Sequence, residues 1–240
     1  MFFEEHAKLL SDFARVSQAA GARADYVQGG GGNTSVKLPG GLMAIKASGF
    51  CLSDIRSDKA YAVLDGADLR NFYLTTEPSA LADVEKEGSA RAKADIRHID
   101  GLADLRPSVE AGFHSILKTF VVHTHSVYAN LAACSTACRP IAAQAFAGAA
   151  YTWGWVPYTD PGANLTFAIR DELRRVEKET GKAPSVILMQ NHGIIVHDDD
   201  PDTTLAIHTD ANERLARMFG LSGTSFPKIA VREMAAGIYA

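Results

Sequence analysis

Apolar residues recur at helical spacing from Phe2 to about Ala20, with Phe2, Leu9, Phe13 and Val16 on one face, and the pattern stops at Gly21. Short alternating segments on either side of Pro39-Gly40-Gly41 predict a hairpin from Thr34 to Ala47. Tyr61–Leu64 is a further short strand, and the polar stretch from Ala80 to about Ile96 is helical in pattern. Ser108–Lys118 predicts a helix that starts just after Pro107, a residue tolerated at a helix entry but not in its interior. Phe120–His125 is the most strand-like run in the chain, and Val127–Ala133 continues as helix. Gly162–Thr180 is a long amphipathic helix closed by Gly181. Ser185–Met189 and Ile194–His197 are strand-like, and Asp202–Phe219 is a last long helix whose start is rich in acidic residues, where the helix dipole favours them. Helices and strands mix throughout, with no repeat and no linker, so one α/β domain over residues 1–240 is expected, helices covering a central sheet.

Composition narrows the class. The chain has 240 residues, of which 47% are apolar and spread along its whole length, so general disorder is excluded. A formal charge of −4, with no basic run longer than Arg174-Arg175, argues against nucleic acid or an anionic membrane as partner. The apolar stretch around Ile141–Ala150 is far shorter than the roughly 20 residues a membrane span needs. The first residues lack the basic region of a secretory signal, so a cytoplasmic protein is expected. Three cysteines cannot form a full disulfide framework. Cys134 and Cys138, four apart, are expected to share a helix face as small buried side chains.

Three places stand out chemically. His123-Thr124-His125 ends the strand-like run, and in a strand residues two apart point to the same side, a good geometry for two ligands of one metal. His192, at the strand break Asn191-His192-Gly193, offers a third imidazole, and three protein ligands with an open position is the catalytic zinc pattern. Glu110, in the first turn expected after Pro107, is placed to act as a general base beside such an ion. Each alone is equally compatible with ordinary packing: strand-end histidines that are hydrogen-bonded, or a glutamate favoured by the helix dipole. The run Gly29–Gly32 lacks the Gly-Lys-Ser/Thr ending of a nucleotide loop and leads into a strand, so both nucleotide-binding readings are rejected. It and Lys46-Ala47-Ser48-Gly49 remain candidate cradles for a small anion. No Gly-x-Ser-x-Gly elbow supports a nucleophilic hydrolase. The other five histidines, His114 among them, have no such setting.

Taken in order, Gly32-Asn33-Thr34-Ser35, Lys46-Ala47-Ser48-Gly49, Pro107-Ser108-Val109-Glu110, His123-Thr124-His125 and Asn191-His192-Gly193 resemble the class II aldolase/adducin-head family over roughly residues 5 to 220. The resemblance implies a three-layer α/β/α sandwich around a mostly antiparallel sheet, and a homo-oligomer, usually a tetramer, with sites at subunit interfaces. It implies a divalent metal held by His123, His125 and His192, zinc first, with manganese or cobalt as alternatives. Glu110 matches the family's acid/base, and Asn33, Ser48, Gly49 and Ser108 match its substrate-phosphate positions. Tyr158 resembles a tyrosine that acts at the aldehyde oxygen across the subunit boundary. The implied activity is aldol cleavage or formation on a short sugar phosphate or related hydroxyketone. The alternatives are epimerisation at carbon 4, dehydration or decarboxylation at the same metal site, or a non-catalytic adducin-like interaction domain. Val109 stands where the better-known phosphate aldolases commonly have Ser, which puts the full phosphate site in question. Family members often close a C-terminal tail over the site, and the segment after Phe219, with Tyr239 near its end, is the corresponding candidate.

Overall fold

The computed structural model describes residues 1–221, 233–235 and 238–239. Eight strands form the central sheet: β1 (Asn33–Lys37), β2 (Leu42–Lys46), β3 (Tyr61–Asp65), β4 (Ile96–Arg97), β5 (Phe120–Thr124), β6 (Trp153–Val156), β7 (Val186–Met189) and β8 (Gly193–Asp198). Their order is β4-β3-β2-β1-β5-β8-β7-β6, and every neighbouring pair is antiparallel except β6–β7. The mostly antiparallel sheet is therefore as expected. A separate pair, β9 (Glu233–Ala235) and β10 (Ile238–Tyr239), lies in the tail segment, most of which falls outside the described residues.

Helices cover both faces of the sheet. One face carries α1 (Phe2–Glu5), α2 (Ala7–Gly21), α6 (Val127–Ala133), α7 (Cys138–Ala145) and α9 (Pro201–Met218). The other carries α3 (Gly66–Thr75), α4 (Val84–Ala94), α5 (Ala111–Ile116) and α8 (Ala163–Thr180). Each face buries its own apolar cluster, and the alternation of β5 divides between them. Phe120 and Val122 enter the α9 side and Val121 the α5 side, as a pleated strand buried on both faces requires. All five residues of β5 are buried, flanked by β1 and β8.

Four boundaries depart from the sequence expectation. The first helix breaks at His6, and its buried residues are Leu10, Phe13, Ala14, Val16, Ser17 and Ala20, with Phe2 and Leu9 only half-buried. The helix expected from Ala80 starts at Val84, where Asp83 accepts the Lys86 backbone N–H as an N-cap. The helix after Pro107 starts at Ala111, so Glu110 is its N-cap rather than a first-turn residue. Cys134 and Cys138 belong to different helices: Cys134 is the exposed C-cap of α6, and Cys138 is the buried first residue of α7.

Candidate metal centre

The register of three strands brings the site together. Asn33 at the start of β1 pairs with His123 near the end of β5, and His123 pairs with Ile195 in β8, which begins one residue after His192. The approach of His192 needs unusual backbone. Asn191 has φ +54°, a left-handed conformation that Asn tolerates better than most residues, and a Cβ on Gly193 would lie 2.4 Å from the Thr124 carbonyl oxygen. On the other side, Gly32 has φ +68°, and a Cβ there would meet the His123 carbonyl oxygen at 2.6 Å. The glycine run thus lets the chain pass against the histidine strand.

Ligand atoms of His123, His125 and His192 all lie within 4.8 Å of one another, the one such cluster found among the described residues. His123 Nε2 and His125 Nε2 are 3.1 Å apart. His123 Nδ1–H donates to the Ile194 carbonyl at 3.0 Å, which leaves its Nε2 as a lone pair facing the cluster. Burial holds His123 down to about 3, and it lowers His125 as well, so both are neutral near pH 7. Neutral imidazoles are the form a metal takes. Around one tetrahedral zinc at ~2.1 Å, imidazole nitrogens stand about 3.4 Å apart. The 3.1 Å between His123 Nε2 and His125 Nε2 is close to that spacing, and the donor set suits such an ion.

Glu110 completes the cluster. Its carboxylate oxygens lie 3.2 Å from His192 Nε2 and 3.6 Å from His123 Nε2. Asn33 Nδ2 donates to Glu110 Oε2 at 2.6 Å, whereas Glu110 Oε1 is buried with no hydrogen bond. Burial pushes this carboxyl up, but the His123 and His192 rings and the Asn33 amide outweigh it and hold it well below the usual carboxylate range. It is therefore ionised, with one oxygen held and the other open toward the histidines.

Asn33 is itself positioned. Its Nδ2 also reaches Ser108 Oγ at 3.0 Å, and its Oδ1 meets His114 Nε2. The Oδ1 can only accept, so His114 Nε2 carries the proton and Nδ1 accepts from Ser35 Oγ, 2.7 Å away. His114, fully buried, thus fixes which way the Asn33 amide points. Sequence reasoning leaves it unassigned; its spacing of one helical turn from Glu110 is the available signal.

The candidate anion positions form one patch. Ser48 Oγ donates to the Pro107 carbonyl at 3.1 Å, and Ser108 N donates to the Lys46 carbonyl at 3.3 Å, so the two loops are stitched side by side. Gly49 is exposed with φ +90°. Lys46, which the sequence marks only as part of a motif, sends its Nζ under this patch to the carbonyls of Phe50 (2.6 Å) and Gly30 (3.2 Å). Val109 is 65% exposed beside it. Tyr158 is not brought to the histidines within the chain: it is 56% exposed, and its hydroxyl donates to Asp160 at 2.8 Å.

Comparison with known proteins now decides the family. A profile of the family described as "Class II Aldolase and Adducin N-terminal domain" matches residues 11–219. The chain belongs to the class II aldolase and adducin N-terminal domain family. A search of curated proteins gives no sequence match. Among solved structures, the chain is similar to the N-terminal class II aldolase domain of a conserved protein from Thermoplasma acidophilum, with TM-score 0.71, 20% identity, and 88% of this chain and 93% of that one covered. It is also similar to YgbL from Klebsiella pneumoniae, a candidate aldolase/epimerase/decarboxylase, with TM-score 0.60, 17% identity and 90% of both chains covered. L-fuculose-1-phosphate aldolase from Thermus thermophilus aligns with TM-score 0.52, 15% identity, and 90% and 95% coverage. At these identities the likeness establishes the fold. No helix among the described residues of this class II aldolase-family chain is long and apolar enough to cross a membrane.

Proposed function

We propose that this class II aldolase-family chain is a metal-dependent lyase that makes or breaks a carbon–carbon bond in a short hydroxycarbonyl compound of sugar type. The observation that supports this most is the convergence of three imidazoles with a carboxylate 3.2–3.6 Å away, one of whose oxygens is left without a hydrogen bond. His123, His125 and His192 would hold the ion, with zinc the first expectation. When bound, a divalent ion supplies Lewis-acid charge that lowers the pKa of a C–H next to a carbonyl.

The chain's own residues do the rest. Glu110, through Oε1, removes a proton from the carbon beside the carbonyl or returns it. Asn33 holds Oε2, so the carboxylate cannot rotate away while the proton moves. His114 keeps the Asn33 amide facing Glu110. The Ser48–Gly49 and Ser108 loops offer hydroxyl and backbone N–H groups to an anionic end of the substrate, with Lys46 adding positive charge from beneath. Exposed Val109 presents methyl groups where a hydroxyl donor is common, which favours a phosphate held by fewer side chains, a carboxylate or an unphosphorylated substrate. Tyr158 would protonate the aldehyde oxygen of a neighbouring protomer's substrate in a homo-oligomer, since its exposure leaves it available to a second copy.

The test is product analysis. Metal-loaded protein is incubated with a panel of ketose phosphates and their unphosphorylated forms, alongside Glu110→Gln. Two fragments, one an aldehyde, with turnover lost in the variant, support the lyase. A product with the full carbon count identifies epimerisation or dehydration, and release of carbon dioxide identifies decarboxylation. No turnover with any substrate and no bound metal would leave an adducin-like interaction domain.

A further inference from the structure

The strands that meet at the histidines end, on the other side of the molecule, at a second cavity. Along β1 the residues Asn33, Ser35 and Lys37 share one face, and Lys37 lies four steps, about 13 Å, from Asn33. β8 likewise runs from the residue after His192 to His197 and Asp198. Here a cavity of about 680 Å³ opens between the ends of β1 and β8, the end of α5, and the facing sides of α3 and α8. Its lining includes Lys37, Arg70, Lys118, Arg170 and Arg174, against only two carboxylates, Glu177 and Asp199. In a chain with 28 acidic and 24 basic residues, that reversal of charge is local and concentrated.

Three of these five cations have a carboxylate partner, and Lys37 and Arg70 do not. Lys118 is paired with Asp198 at 2.8 Å, and Arg170 with Asp171 at 2.8 Å. Asp199 is occupied by the Thr119 hydroxyl (2.7 Å) and backbone N–H (3.2 Å), and Glu177 is exposed. Lys37, Arg70 and Glu177 have no ion pair among the described residues. Lys37 donates to the His114 carbonyl, and Arg70 to the Ser115 carbonyl at 3.2 Å, so both close the C-terminal end of α5. Arg174 gives one hydrogen bond, to the Leu74 carbonyl at 3.0 Å, and stands 3.9 Å from Asp171. A lysine has three N–H donors and an arginine five, so each keeps donors beyond those spent on the backbone. Burial, and then the charge of Arg70, press the Lys37 ammonium toward its neutral form, and the Asp199 carboxylate opposes them. Leu42, Leu117 and Leu173 supply an apolar wall beside the charges.

We propose that this cavity binds a small phosphorylated ligand, its phosphoryl group between Lys37, Arg70 and Arg174 and its body along the leucine wall. Planar guanidinium groups suit a phosphoryl group's several acceptor oxygens, and a cavity of this size holds a phosphate ester of a few carbons. The site is separate from the histidine cluster and does not depend on which reaction occurs there. It is not isolated from it, because the carbonyl held by Lys37 belongs to His114, whose ring orients Asn33.

The test is calorimetric titration of the metal-loaded protein with inorganic phosphate, with sulfate, and with glycerol 1-phosphate. Wild type is compared with Arg70→Met, Arg174→Gln and, at the histidine end, Ser48→Ala. Arg174 is exposed, so its replacement leaves the fold intact even if Arg70→Met does not fold. The expected result is one anion per chain whose affinity drops at least tenfold in Arg70→Met and Arg174→Gln and is kept in Ser48→Ala. Glycerol 1-phosphate binding more tightly than phosphate supports an ester ligand, and equal affinity supports the free ion in the same site. Affinity unchanged in Arg174→Gln, loss confined to Ser48→Ala, or no binding of any of the three anions overturns the proposal.

Discussion

The two ends of β1 bury polar groups in opposite ways. At the Asn33 end the amide spans His114, Ser108 and Glu110, and the charge of the carboxylate faces imidazoles. At the Lys37 end Lys37 and Arg70 have backbone carbonyls as hydrogen-bond partners and no ion pair among the described residues. Both ends are held by the same β1–β5–β8 register and both flank α5, so the backbone alone does not distinguish them. The difference lies in side-chain chemistry. One end gathers three imidazoles and a carboxylate, and the other holds two basic side chains without a carboxylate partner.

The largest expected effect comes from removing the carboxylate. Glu110→Gln keeps the shape and the Asn33 contact but cannot take a proton, so turnover should fall by about 10² to 10⁴, with metal content unchanged. Steady-state rates beside metal analysis check both halves of that statement. Next is acid stability. Burial holds His208, which is hydrogen-bonded to Thr124 at 2.8 Å, down to about 4 against an ordinary 6.5. The unfolded chain therefore takes up the proton more readily, and the stability this group contributes is full above pH 6.5 and lost as the pH falls toward 4. The loss is roughly 3 kcal/mol at its limit. Denaturant melts from pH 7 to 4 should show a shallower decline in His208→Gln.

A smaller effect is expected where the two ends communicate. His114→Phe removes both ring hydrogen bonds and leaves Asn33 Oδ1 unpartnered, costing about 1–3 kcal/mol of stability. With the amide free to turn, kcat should fall about tenfold while metal stoichiometry stays constant. The smallest effect is at the surface. Val109→Ser should change stability by less than about 0.5 kcal/mol, because the side chain is mostly exposed, and should lower KM for phosphorylated substrates only.

Much of this is legible in the sequence because it is local. The hairpin across Pro39–Gly41, the αL Gly181 closing α8 and the strand ending at His123-Thr124-His125 follow from turn chemistry and alternation. The three histidines and Glu110 stand out from their motifs, and the fold brings them together. What sequence could not show depends on contacts between distant segments. His114 meets Asn33 across 81 positions, a pairing that no spacing rule encodes. The basic cavity draws Lys37, Arg70, Lys118 and Arg174 from four separate segments, so no basic run marks it. Glu110 falls one position outside its helix because its own backbone (φ −94°, ψ 10°) sits at the entry, where periodicity is silent.

In the proposed metal centre His123, His125 and His192 would hold one divalent ion beside Glu110. Elemental analysis of the purified wild-type protein next to His192→Ala tests it most directly. About one zinc or other divalent ion per wild-type chain is expected, and its loss in the variant. A wild-type protein that holds no divalent metal and takes none up on titration, or a variant that keeps a full equivalent, would contradict it.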